Sequence, residues 1–129
     1  MRKSILSLSL VGMAVALSPS AALAHAKLVS STPAANATVA SAKAKSINLT
    51  FNEKLMAPTV KADLQMTGMP GMKDHAPMKV AVGSMMGKDG KSMMLMPKKA
   101  LVAGTYKVTW SAAGADTHRM NGEFSFTVK

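Results

Sequence analysis

The sequence predicts an all-β Greek-key sandwich, and three observations carry that reading. Short stretches alternate apolar and polar side chains, as in Ile47-Asn48-Leu49-Thr50-Phe51. Clusters of Gly, Pro, Asn and Asp separate these stretches at short intervals. Beyond residue 24 no window repeats its apolar positions with the 3.6-residue period of a helix. About seven strands fit the pattern, packed as two layers around one core.

In chain order, residues 1–24 read as a secretory signal. Arg2 and Lys3 form the basic start, Ile5 to Leu17 the apolar run, and Ala22-Leu23-Ala24 the small-residue cleavage pattern. The run is too short to span a bilayer, and nothing later approaches the ~20 apolar residues a span requires. Cleavage after Ala24 leaves residues 25–129, one domain beginning at His25. Lys27 to Val39, with Ser30, Ser31, Thr32, Pro33 and Asn36, reads as a turn-rich lead-in. Ile47 to Phe51 is a half-buried strand, broken by Asn52-Glu53-Lys54 and Pro58. Val60, Ala62 and Leu64 alternate again, and Val80 and Val82 mark a short strand. Gly83, Gly87, Asp89 and Gly90 read as turns around Met85 and Met86. Ser92 to Met96 is a strand ended by Pro97, with Met93 and Leu95 on one face and Met94 and Met96 on the other. Met93, Met94 and Met96 read as packing residues. Tyr106, Val108 and Trp110 share a face after Gly104, and a tyrosine opening a strand there is a sandwich-corner feature. Phe124, Phe126 and Val128 face inward on the last strand.

The formal net charge is +10, and every basic residue except Arg2 and Arg119 is a lysine, scattered singly or in pairs. With one Trp, one Tyr, three Phe and no arginine cluster, no nucleic-acid module is indicated. The chain has no cysteine, which excludes disulfides and thiolate metal sites.

Two groups of residues carry candidate chemistry. Between Met66 and Met78 lie four methionines, Met66, Met69, Met72 and Met78, together with His75. Thioethers are soft ligands that select Cu(I), and imidazole accepts copper in either oxidation state. Met66, Met69 and Met72 fall at helical spacing, but Gly68, Pro70 and Gly71 between them would cost a helix about 5 kcal/mol against alanine. A loop with outward sulfurs is therefore expected. In an extended run, residues three apart repeat at about 9 Å, so the glycines and prolines must fold the loop back for its sulfurs to share an ion. A Met-rich linker without a ligand is the competing reading.

The second group is Asp116-Thr117-His118, in the turn before the last strand. Extended backbone projects i and i+2 to the same side, offering a carboxylate and an imidazole to one ion. Processing after Ala24 adds His25, whose α-amine and ring can bind together. Three nitrogens and one oxygen form a tetragonal set suited to Cu(II).

With these residues assembled, the chain resembles the periplasmic copper-resistance proteins of the CopC/PcoC family, methionine-rich type. The resemblance runs from His25-Ala26-Lys27-Leu28 and Ser31-Thr32-Pro33 through Leu49-Thr50-Phe51-Asn52-Glu53 and the Met66–Met78 loop. It continues over Leu101 to Trp110, Asp116-Thr117-His118 and Gly122-Glu123-Phe124-Ser125-Phe126. It implies a cupredoxin-like or immunoglobulin-like Greek-key barrel. It also implies Cu(II) bound by His25, Asp116 and His118, and Cu(I) among Met66, Met69, Met72, His75 and Met78. Glu53 matches an acidic family position, for which a supporting role behind the Cu(II) ligands is expected.

The function expected is a periplasmic, non-enzymatic copper carrier or buffer that exchanges copper with a membrane transporter or another periplasmic copper protein. A copper oxidase or monooxygenase with an amino-terminal histidine brace is the alternative, and it would need a substrate platform around the metal. A purely structural or adhesive sandwich leaves both ligand groups unexplained.

Overall fold

The computed structural model describes residues 25–72 and 75–129. The predicted signal, residues 1–24, lies outside the described residues. Two antiparallel-dominated sheets face each other. The first has the order β1-β3-β7-β6, from β1 (Leu28–Thr32), β3 (Ile47–Phe51), β6 (Val82–Met86) and β7 (Ser92–Pro97). The second has the order β2-β9-β8-β4-β5, from β2 (Thr38–Val39), β4 (Lys61–Gly68), β5 (Met78–Val80), β8 (Gly104–Ala113) and β9 (Arg119–Val128). The all-β sandwich is thus present, with nine strands among the described residues rather than about seven.

Alternation explains the central strands. In β3 the inward residues Ile47, Leu49 and Phe51 are at most 2% exposed, and Tyr106 and Val108 in β8 lie across from Phe126 and Phe124 of β9, with Trp110 across from Gly122. Trp110 packs edge-on against Phe51 of the opposite sheet, with ring centroids 5.0 Å apart. Gly122 lies beneath the indole: a Cβ there would fall 2.7–2.9 Å from three of its ring atoms.

The Tyr106 hydroxyl donates to the Val102 carbonyl at 2.7 Å, the sandwich-corner bond expected from the sequence. Removing it leaves that carbonyl without its partner, so Tyr106→Phe should destabilise the fold by about 1–2 kcal/mol. The check is a lowered denaturant midpoint at unchanged slope.

Two sequence expectations are corrected. The lead-in Lys27 to Val39 contains β1 and β2. The side chains of β1 do not alternate apolar-in and polar-out, since Val29 is 60% exposed, and the strand is held by backbone pairing to β3 rather than by a buried stripe. Gly83 does not form a turn; with Met85 and Met86 it belongs to β6, an edge strand paired along its length with β7. Ala81 carries the chain from β5 to β6, so an edge of one sheet passes directly into an edge of the other.

Candidate metal centres

The amino-terminal centre is built from segments far apart in sequence. Ala26 is 1% exposed and anchors the lead-in to the core. Asn52, just past β3, clamps the residues on either side of it. Its Nδ2 donates to the His25 carbonyl at 3.2 Å, its Oδ1 accepts from the Lys27 N–H at 2.8 Å, and its own N–H donates to the Lys27 carbonyl at 3.0 Å. Residues 25–27 are thereby fixed beside the loop that joins β8 to β9.

That loop is a turn, not the extended backbone the sequence suggested. The Thr117 N–H donates to the Gly114 carbonyl at 3.0 Å, and Thr117 has φ +64°, a left-handed conformation that β-branched residues rarely adopt. The His118 N–H then donates to Asp116 Oδ1 at 3.2 Å. The turn, not strand periodicity, brings Asp116 and His118 together.

His25 Nδ1 donates to Asp116 Oδ2 at 2.6 Å, and His118 Nδ1 lies 3.4 Å from the same oxygen. The two imidazoles meet edge-on with centroids 5.2 Å apart. One ligand atom from each of His25, Asp116 and His118 falls within 4.8 Å of the others. The Asp116 side chain is only 5% exposed. Burial by itself would raise its carboxyl. Hydrogen bonds from the His25 ring, the His118 backbone N–H and the His118 ring outweigh that and hold it below the ordinary carboxylate range. The site therefore keeps an anion where a cation can replace the bridging proton.

The methionine segment folds back as the sequence required. Met69 and Met72 exchange both backbone hydrogen bonds, each at 2.9 Å, around Pro70 and Gly71, whose φ is +79°. Proline followed by a positive-φ glycine is type II turn chemistry. A pair exchanging both bonds projects its side chains to one face, so Met69 and Met72 stand side by side. Met69, Met72 and Met78 are 40%, 53% and 51% exposed. His75 Nδ1 lies 2.8 Å from the Ala76 carbonyl. A carbonyl only accepts, so Nδ1 carries the proton and Nε2 holds the lone pair that a metal needs. That Nε2 is buried and has no hydrogen-bond partner among the described residues.

Compared with known families, residues 28–129 match the CopC domain. The chain belongs to the CopC family. Its relatives include Copper resistance protein C of Escherichia coli, 46% identical over all of this chain and 98% of that one. Another is Copper resistance protein C of Pseudomonas syringae pv. tomato, 46% identical over 99% and 97%. Crystal structures of PcoC, a methionine-rich copper resistance protein from Escherichia coli, superpose with TM-scores of 0.74 and 0.73. The first is 46% identical and covers 80% of this chain and 99% of that one. CopC from Methylosinus trichosporium OB3b, 22% identical at TM-score 0.65, shares the fold.

Within this CopC-family framework one predicted residue, Met66, sits differently from expectation. Met66 does not point outward; it is an inward residue of β4, 4% exposed, with its methyl over Gly104. The strand runs on to Gly68, so alternation rather than loop geometry sets its direction. Met78 pairs with it across the ladder but stays exposed on the edge strand β5. Glu53 makes no hydrogen bond to His25, Asp116 or His118 among the described residues. Its carboxylate packs against Gly114, at the base of their turn, with Oε1 buried and unpartnered. The clamp residue Asn52 was missed as a functional position, because only the fold reveals that its amide meets residues 25 and 27.

Proposed function

We propose that this CopC-family protein carries copper as cargo in the periplasm and contributes to copper resistance. Cu(II) is held by His25, Asp116 and His118, and Cu(I) by Met69, Met72, Met78 and His75. Met66 stands behind the Cu(I) group from the core. The observation that carries the reading is the convergence of three ligand atoms within 4.8 Å from positions separated by 91 residues. Once the signal is removed, the His25 amine joins its ring nitrogen in a chelate. The relatives named copper resistance protein C support the same assignment. Among the described residues no helix is long and apolar enough to cross a membrane. Exchange with a copper-transport membrane protein or another periplasmic copper protein completes the proposal.

Carriage is favoured over catalysis by the placement of the aromatics. Phe51, Tyr106, Trp110, Phe124 and Phe126 are all at most 9% exposed, so none remains to form a substrate platform.

Proton competition separates the two sites. Imidazole and α-amino nitrogens ordinarily take up protons between about pH 6 and 8, and Cu(II) needs them unprotonated. Asp116, held low, remains an anion well below that range and loses its charge only as pH falls through its depressed value. Mild acid should therefore release Cu(II) by protonating nitrogen, whereas thioether-bound Cu(I) stays. X-ray absorption checks this: sulfur should dominate the shell of the reduced protein, and nitrogen and oxygen that of the oxidised one. A reduced form with only nitrogen and oxygen neighbours, or one losing Cu(I) in step with Cu(II), overturns the loop assignment.

A further inference from the structure

The three outward methionines of the β6–β7 ladder have no part in the core or in either centre described above. Met93 and Leu95 face the core at 5% and 0% exposure, so Met94 and Met96 project from the outer face of the first sheet. Met85 lies directly across from Met94, and Gly83 directly across from Met96. Met85 and Met96 are 53% and 37% exposed, and Met94 is half-buried. The rest of that face is short and polar: the next strand presents Asn48 opposite Met94 and Thr50 opposite Ser92. Packing therefore accounts for Met93 but not for Met85, Met94 and Met96.

We infer that Met85, Met94 and Met96 form a second thioether site for a soft monovalent cation, Cu(I) or Ag(I), on the outer face of the sheet. Directly opposed residues place their Cβ atoms about 5 Å apart, and same-face neighbours along a strand stand about 7 Å apart. Three rotatable bonds let each methionine turn its sulfur inward from such positions. Gly83 leaves the fourth corner open: the Met96 methyl reaches to 4.0 Å from where a Cβ would stand there, with no side chain to block the ion. No thiolate exists in the chain to outcompete thioethers for a soft ion. β5 and β6 are edge strands joined through Ala81, so the site and the methionine turn share one side of the sandwich. The choice of cargo rests on the proposed copper function; the site itself rests on the ladder.

The test is titration of the protein, carrying 13C-methyl methionine, with Ag(I) under methyl-detected NMR. Signals would be assigned by single Met→Leu replacements, which nearly conserve volume. In a Met69→Leu/Met72→Leu/Met78→Leu variant, the Met85, Met94 and Met96 methyls should shift together and saturate at one equivalent. A Met85→Leu/Met94→Leu/Met96→Leu variant should lose one bound equivalent, while Met93→Leu should lose none. If the three methyls stay still through two equivalents of Ag(I), or respond independently of one another, the site does not exist. If they respond while the methionine turn of the unaltered protein does not, the ladder site stands and the Cu(I) assignment of the turn falls.

Discussion

Adding one residue ahead of His25 is expected to reduce Cu(II) affinity at least as far as the 10–100-fold cost of losing an outer partner of a metal ligand. The added peptide bond converts the chelating amine into an amide, which binds Cu(II) only after giving up its own proton. It also inserts chain beside a residue whose position is set within narrow limits. Ala26 is buried on one side, and Asn52 grips the His25 carbonyl and the Lys27 backbone on the other. The His25 ring can meet Asp116 only from that position. The fold should be untouched, because the core begins with Ala26 and His25 is a surface residue. Calorimetric titration of the extended and processed proteins, with their thermal midpoints alongside, measures both effects. Equal Cu(II) affinity would remove the amino-terminal amine from the site.

Replacement of Trp110 by alanine should be the most destabilising single change, at about 3–5 kcal/mol. The indole bridges the two sheets, edge-on to Phe51 and seated on Gly122. No neighbour can move into its volume without dragging a strand. For a domain of this size that loss corresponds to a fall of roughly 15–30 °C in midpoint, a large share of ordinary domain stability. Thermal unfolding followed by circular dichroism reads it directly. A drop below 1 kcal/mol would mean that the indole does not join the sheets. The copper sites should respond only through folding: at temperatures where the variant remains native, Cu(II) affinity should match that of the parent.

The core was legible in the sequence because burial imposes a period of two. Ile47 to Phe51, Tyr106 to Trp110 and Phe124 to Val128 each declare an inward face, and each lies as expected. β1 and β6 were not legible, because edge strands are held by backbone pairing and their side chains need not alternate in polarity. The same limit applied at the sites. Asp116-Thr117-His118 announced its candidate ligands through residue type, yet the conformation that brings them together is a left-handed Thr117, which no pattern of residue types signals. For the methionines, composition pointed to soft-metal chemistry, but the direction of each sulfur follows from strand register. Register put Met66 inside and exposed Met85, which had read only as lying between turn residues, and Met96, which had read as a packing residue.

β8 also works as a ruler. Gly104 and Thr105 at its start adjoin Val128, Thr127 and Gly68, next to the methionine turn, and Ala113 at its end leads into the loop of Asp116 and His118. Ten residues of strand extend about 30 Å, so an ion held as proposed by His25, Asp116 and His118 could not step directly onto the methionine turn of the same molecule. On the proposed assignment, relocation of copper on reduction would pass through solvent, a chelator or a second protein molecule. Its rate should then rise with protein concentration, as a collision between molecules does, and two copies meeting with opposite ends together offer the shortest path. Each molecule would then be a vessel with two separate mouths, and the traffic between them would belong to the population rather than to the single chain.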